Sequence, residues 1–520
     1  MTLQSQSTTG IRKVVLLLLA AVSTVSALYR VKCFDHNKGE DETGIILDCA
    51  DMAGKSHPYP IESWIGYHAY FDDGIKANQV VQIDLSNNDF QRIFKMPPMT
   101  SLQKLSFKYN NLTSIERLAF CGLPALEELD ISYNTLPSDE LRPAIICHPK
   151  SSNGQEIKPV RLKTLRLGHN NIHTLRPDFF EHLTQLEVLE LNNNPFKVID
   201  QNTEFAISNL CNLQVLDLAN TGIAGFPSES FSHSNVNTLY LNGNNFQSVP
   251  NEIRAMPLAY LNLNANPISN LNAESFVGFQ KLQQLIISGM PKLSQIDSGT
   301  FAPLPRLITL HMSHNPNLVY IHYDAFRNQS IQQWWSLRQL FLNNNKLGNI
   351  DSKLYPWGKL DIFDAKSNPW TCDCRLSWMA NYVNETFKEI PETLLYYRCH
   401  EPQELDGILV SQLNEHIECD ELFQAPADHS HGHVTRLRHF IIVIGLVIGI
   451  FVFGTLINMG CRKLKKVLEP RISVPARFSS GVKYRPADFE EISDTPEELS
   501  TRKTSTMIHG RPPIVINQSE

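Results

Sequence analysis

The chain has 520 residues, of which 53 are acidic and 46 basic, for a net charge of −7. That balance, with no basic stripe, argues against nucleic acid as a partner, while 42% hydrophobic residues are enough for a continuous core. There is no Gly-rich phosphate loop, no His/Glu pair at metal-binding helical spacing and no nucleophile motif, so no enzyme activity, metal or cofactor is expected.

In chain order, residues 1–27 read as a signal peptide. Arg12 and Lys13 precede an apolar run from Val14 to Val22, and Val25-Ser26-Ala27 offers small residues for cleavage. Residues 28–79 would form an N-terminal cap. From 80 to 368 the chain is a repeat, with Leu162-x-x-Leu165-x-Leu167-x-x-Asn170 as its unit. The closing position is Asn88, Asn110, Asn134, Asn170, Asn194, Thr221, Asn244, Asn266, Met290, Asn315, Asn345 and Asn368, most of them 22 to 25 residues apart. This is the leucine-rich-repeat signature.

Each position has a physical reason. Leu165 and Leu167 point inward from a short strand and Arg166 points out, because side chains alternate with period two. The Asn amide can bond the backbone of its own and adjacent turns where the chain leaves the strand. A later phenylalanine (Phe120, Phe180, Phe231, Phe276, Phe301, Phe326) fills the core on the return segment. The expected fold is therefore an α/β leucine-rich-repeat solenoid of about twelve units, a curved horseshoe with a parallel sheet on its concave face. Two units are over-long. One carries the polar insert around Lys150-Ser151-Ser152-Asn153-Gly154, the other Trp334-Trp335.

Beyond the repeats lie a cysteine-rich C-terminal cap (369–421), a stalk (422–439) and an apolar run from Phe440 to Met459. That run is uncharged and long enough to be one transmembrane helix. Arg462, Lys463, Lys465, Lys466 and Arg471 follow it, so the basic side, and the Ser/Thr/Pro-rich tail 460–520, should be cytoplasmic. The tail has few large apolar groups and is expected to be disordered. Sequons at Asn111, Asn328 and Asn384 would then be glycosylated outside the cell.

The run Asn368-Pro369-Trp370-x-Cys372-x-Cys374-x-Leu376, with Trp378, Cys399 and Cys419 beyond, closely resembles the C-terminal cap of extracellular leucine-rich-repeat proteins. The resemblance implies pairing of Cys372 with Cys399 and of Cys374 with Cys419. A zinc site is the competing use of four cysteines, disfavoured by the secretory context. N-terminal caps of such proteins often carry four cysteines, whereas here only Cys33 and Cys49 precede the repeats, and one bridge between them is expected. Cys121 and Cys147 occupy equivalent places in successive units, and equivalent places stack, so a bridge is geometrically reasonable. Cys211 is left over, read here as a buried thiol in preference to an intermolecular link.

Over nearly its whole length the chain resembles type I single-pass leucine-rich-repeat cell-surface proteins of the adhesion and receptor group. That resemblance implies a plasma-membrane protein binding an extracellular or cell-surface protein, or a second copy of itself. Two other roles stay open: an accessory subunit modulating a channel or receptor in its own membrane, and an innate-immune recognition protein acting through a signalling partner. Toll-like receptors share the ectodomain style but carry a larger cytoplasmic domain than this tail.

The outward column between the inward leucines reads Asp84, Ser106, Asp130, Arg166, Glu190, Asp217, Tyr240, Asn262, Ile286, His311, Phe341, Asp364. Its first six members are polar. Aromatic and apolar residues then appear, and Tyr260 flanks Asn262 in the next column. Outward aromatics on a wet strand have no core to fill and mark an interaction surface. The expected ligand-binding residues are Tyr240, Tyr260, Asn262, Ile286, His311 and Phe341.

Overall fold

The computed structural model describes residues 34–35, 44–51, 77–146, 160–228, 230–231, 234–327, 336–387 and 391–419, all within the compact unit Met1–Asp428. Several expectations lie outside the described residues. They are the signal peptide, Cys33, Cys147, the insert after Lys150, Asn328, Trp334-Trp335, the stalk, the apolar run 440–459 and the tail. Among the described residues no helix is long and apolar enough to cross a membrane.

One sheet of 14 strands organises the unit. Phe34–Asp35 pairs antiparallel with Ile45–Asp48, and every later neighbour in this sheet is parallel. The repeat strands follow as Val80–Asp84, Lys104–Ser106, Glu128–Asp130, Thr164–Arg166, Val188–Glu190, Val215–Asp217, Thr238–Tyr240, Tyr260–Asn262, Gln284–Ile286, Thr309–His311, Gln339–Phe341 and Ile362–Asp364. In each three-residue strand the middle residue is buried and its neighbours face outward, and in Val80–Asp84 Ile83 takes that inward place, so the leucine pattern sets the register. Phe120, Phe180, Phe231, Phe276, Phe301 and Phe326 are all buried. The rings of Phe276, Phe301 and Phe326 stack from unit to unit, with centroids 6.0 and 4.9 Å apart.

The α/β expectation needs correction: the fold is a β-solenoid of about eleven turns. Its return segments are turns, short 3-10 helices and small parallel sheets of two or three strands. Among the described residues one α-helix, Gln201–Ser208, lies between repeat strands. A unit of 22 to 25 residues must leave the strand, cross the core with its phenylalanine and come back, which leaves no room for two helical turns. The helix appears where the unit is longer, between Glu190 and Asp217, and is started by Asp200, whose carboxylate accepts from Thr203 N–H at 2.7 Å.

The buried asparagines hold the strand exits. Asn266 is fully buried. Its Nδ2 donates to Leu263 O in its own turn and to Leu241 O in the preceding one, both at 2.9 Å, and its Oδ1 accepts from Phe246 N–H at 3.1 Å. Asn110, Asn134, Asn170, Asn194 and Asn368 make the same three kinds of bond. Each thus satisfies two carbonyls and one N–H that are out of reach of water. At Thr221 a hydroxyl substitutes, donating to Leu218 O at 2.8 Å, and at Met290 there is no side-chain donor at all. The residue before each of these twelve positions has positive φ, from Asn87 (54°) to Ser367 (56°). Tyr109, Tyr133 and His169 accept that conformation despite their bulk, at roughly 1–2 kcal/mol for a residue with a Cβ.

The C-terminal cap closes the last repeat with aromatic rings. Trp357 stacks on Trp378 at 4.4 Å and Phe363 packs beside them, while Trp378 Nε1 donates to Ile350 O at 3.0 Å. Cys372 is bonded to Cys399 and Cys374 to Cys419. Cys49 and Cys121 are also disulfide-bonded. Cys211 is free and exposed, not buried. Leu210 and Leu213 take the inward places of this turn, and Cys211 stands where Thr184, Gln280 and Pro305 stand in other units, all exposed.

Two outcomes follow from this packing. Asn266→Ala should lower the melting temperature sharply, because it strands three buried backbone groups at about 1–3 kcal/mol each; a thermal melt beside the surface variant Gln280→Ala reads the difference. Cys374→Ser should block export of the full chain, since it removes a bridge whose typical loss is roughly 2–5 kcal/mol and loosens the cover of the last repeat. Surface staining against total protein measures it, and wild-type export would exclude this role for the bridge.

Candidate functional site

The strand face is one continuous outward surface. Strand pairing aligns Asp130 with Arg166, Arg166 with Glu190, Glu190 with Asp217, Asp217 with Tyr240, Tyr240 with Asn262, Asn262 with Ile286, Ile286 with His311 and His311 with Phe341. Tyr240, Tyr260, Asn262, Ile286, His311 and Phe341 therefore lie together on adjacent strands, each partly buried by its neighbours. The Tyr240 and Tyr260 rings meet at 5.0 Å, and the His311 imidazole lies flat on Phe341 at 4.3 Å with 2° between planes. Burial pushes Tyr260 up to about 12, with the Tyr240 hydroxyl adding to the shift, and lowers His311 below the usual imidazole range. At neutral pH this half of the face presents uncharged rings, with hydroxyl and imidazole groups at their edges.

The other half is a charge ladder. Arg166 bridges Glu128 and Glu190, binding Glu190 Oε1 through Nε at 3.1 Å, and Lys104 reaches Glu128 at 3.1 Å. Burial opposes ionisation of Glu128, but Arg166 and Lys104 outweigh it and hold its pKa below the usual carboxylate range. At Glu190 burial prevails over Arg166 and the pKa rises. Where the two halves meet stands Asp217, partly buried, its Oδ1 accepting from Ala219 N–H at 2.9 Å.

A second cluster escapes the repeat pattern. Tyr109, Tyr133 and His169, the positive-φ residues of three successive turns, stack with centroids 4.1 and 3.8 Å apart. Lys108 Nζ lies 5.0 Å from the first ring and 5.1 Å from the second. Reading the residue before each closing Asn as a column would have found it.

The remaining marked positions are dispersed. Asn111 is exposed on the turn after Asn110, and Asn384 is exposed on the helix Ser377–Thr386, where its Nδ2 donates to Ser411 O at 2.7 Å. Among the described residues no cluster of His, Cys, Asp and Glu is arranged to hold a metal ion.

Comparison with known proteins agrees with this architecture. A leucine-rich-repeat family model matches residues 78–136, 160–211 and 256–316, and a second leucine-rich-repeat model matches 212–234. The chain is 29% identical over 297 residues to Tsukushi of Gallus gallus, covering 55% of this chain and 65% of that protein, so it spans less than two thirds of that relative's length. It is 28% identical over 273 residues to Toll-like receptor 3 of Bos taurus, covering 50% of this chain and 29% of the receptor. A solved mouse RP105/MD-1 complex is similar at 22% identity and a TM-score of 0.45, covering 66% of this chain and 51% of that one. These relatives are not enzymes. The chain thus carries leucine-rich repeats and is similar, over about half its length, to Tsukushi and to a Toll-like receptor.

Proposed function

We propose that this is a type I single-pass protein of the plasma membrane that holds its repeats outside the cell and binds an extracellular protein through the strand face from Tyr240 to Phe341. The observation that carries the reading is the in-register column in which Tyr240, Asn262, Ile286, His311 and Phe341 lie side by side, with Tyr260 against Tyr240, on the side of the sheet away from the core. Rings held against each other on a rigid sheet lose little entropy on binding and bury much apolar area, the character of an energetic hot spot. The disulfides of the C-terminal cap suit an oxidising compartment. The apolar run 440–459 with basic residues after it supports the membrane topology. Relatives named as a Toll-like receptor and as a transforming growth factor beta activator fit a role in recognition.

Full-length protein carrying Tyr240→Ala with Phe341→Ala should be exported normally, since both residues lie outside the leucine core. It should lose about tenfold or more in ligand binding or in clustering of non-adherent cells. Undiminished binding by an exported double variant would move the site off this face. Protease applied to intact cells should destroy the repeats and spare the tail, and an ectodomain protected from protease would overturn the topology.

A further inference from the structure

We infer that Asp217, with the rings of Tyr240 and Tyr260, forms the seat for a lysine or arginine side chain presented by the protein that binds this face. The inference rests on the proposed strand-face site and specifies the chemistry of its partner.

Asp217 has a role in the fold that it shares with other column residues carrying a short side-chain carbonyl. Asp84, Asp130, Asn262 and Asp364 each accept from the N–H two residues on, at 2.9, 2.9, 3.0 and 3.1 Å. Asp217 does the same with Ala219 at 2.9 Å. Asn262 makes this bond without a charge, so the turn needs an oxygen and not an anion. The negative charge of Asp217 is therefore not explained by the fold.

Nor is that charge compensated. Asp364 has the Lys366 ammonium at 3.2 Å, whereas Asp217 makes no ion pair among the described residues. Arg166, two strands away on this face, is committed to Glu128 and Glu190. Beside Asp217 on this face stand Glu190 on the adjacent strand to one side and Tyr240 on the adjacent strand to the other, with Arg166 and Tyr260 one strand further out on each side. Burial, helped by the Glu190 charge and opposed by the Ala219 N–H, pushes the Asp217 carboxyl up to about 6. A half-buried carboxylate beside a second anion and two ring faces is short of one cation. An incoming ammonium or guanidinium ion meets the carboxylate, and the tyrosine rings 5.0 Å apart supply π faces for the same charge.

The sign of the titration gives a second handle. The folded pKa of about 6 lies above the ordinary 3.8, so ionisation of Asp217 weakens the fold as pH rises from 3.8 to about 6, and the loss is constant above that range. Asp217→Asn keeps the bond to Ala219 and removes the charge. The variant should melt higher than wild type at neutral pH and equally below pH 3.8, so a loss of binding cannot be assigned to unfolding.

The experiment pans a random peptide library displayed on phage against the full chain on cells. Peptides recovered should share one Lys or Arg. Exchanging it for Gln, or introducing Asp217→Asn into the chain, should each cut affinity about tenfold at neutral pH. Wild-type affinity should fall as pH drops through about 6, and the variant should show no such step. Peptides that lack a common basic residue, or that bind Asp217→Asn as well as wild type, overturn the inference. If such peptides are still lost with Tyr240→Ala and Phe341→Ala, the strand-face reading stands and the basic anchor alone fails; if they survive that double variant too, both fail.

Discussion

Buried backbone at the strand exits is the constraint on which this fold depends. Each unit turns out of the sheet with carbonyl and N–H groups that face neither water nor a neighbouring strand, and the asparagine amide is the one compact side chain that donates twice and accepts once in that space. Asn266 shows the arrangement complete, tying Leu241 and Phe246 of the turn before to Leu263 of its own. Everything on the outward face follows from it. A fixed exit fixes the register of the next strand, and fixed register aligns Tyr240 with Asn262 and His311 with Phe341. The face is a consequence of the turn.

Much of this is legible in the sequence because its causes are local. Leu165-x-Leu167-x-x-Asn170 states a period, a burial side and a hydrogen-bonding role within six residues, and the strand Thr164–Arg166 obeys all three. The outward column is equally local, since period two decides which side chain leaves the core. What is not legible depends on position within the turn or on charges brought together from several units. Residue type alone puts Cys211 in the core, but its place between Leu210 and Leu213 is an outward one. The α/β fold class implies helical return segments, yet among the described residues only the segment between Glu190 and Asp217 forms an α-helix, and the common unit length is too short for one.

The positive-φ column is the clearest case of information that residue types conceal. The conformation is imposed by the turn, and it is met by Asn87, Tyr109, His169, Ala265 and Ser367 alike. No composition rule predicts Tyr109, Tyr133 and His169 there; reading the residue before each closing Asn as a column brings them together, and the geometry adds that their rings stack. Asp217 is similar. It shares the turn-capping bond of its column mates, and its lack of a cation is visible only when Arg166 is seen spent on Glu128 and Glu190.

The two departures from asparagine, Thr221 and Met290, have a mechanical meaning. In a stack where each unit touches only its neighbours, stiffness is a local property of each joint. A joint held by three side-chain hydrogen bonds resists opening more than one held by a hydroxyl at Thr221 or by none from Met290. These two softer joints bracket the stretch that carries Tyr240, Tyr260, Asn262 and Ile286. Under tension, or when a partner bends the solenoid to fit, deformation concentrates at its two ends while the sheet between them moves as one plate. The rings of Tyr240 and Tyr260 keep their mutual geometry, while His311 and Phe341, beyond the Met290 joint, shift relative to them as a pair.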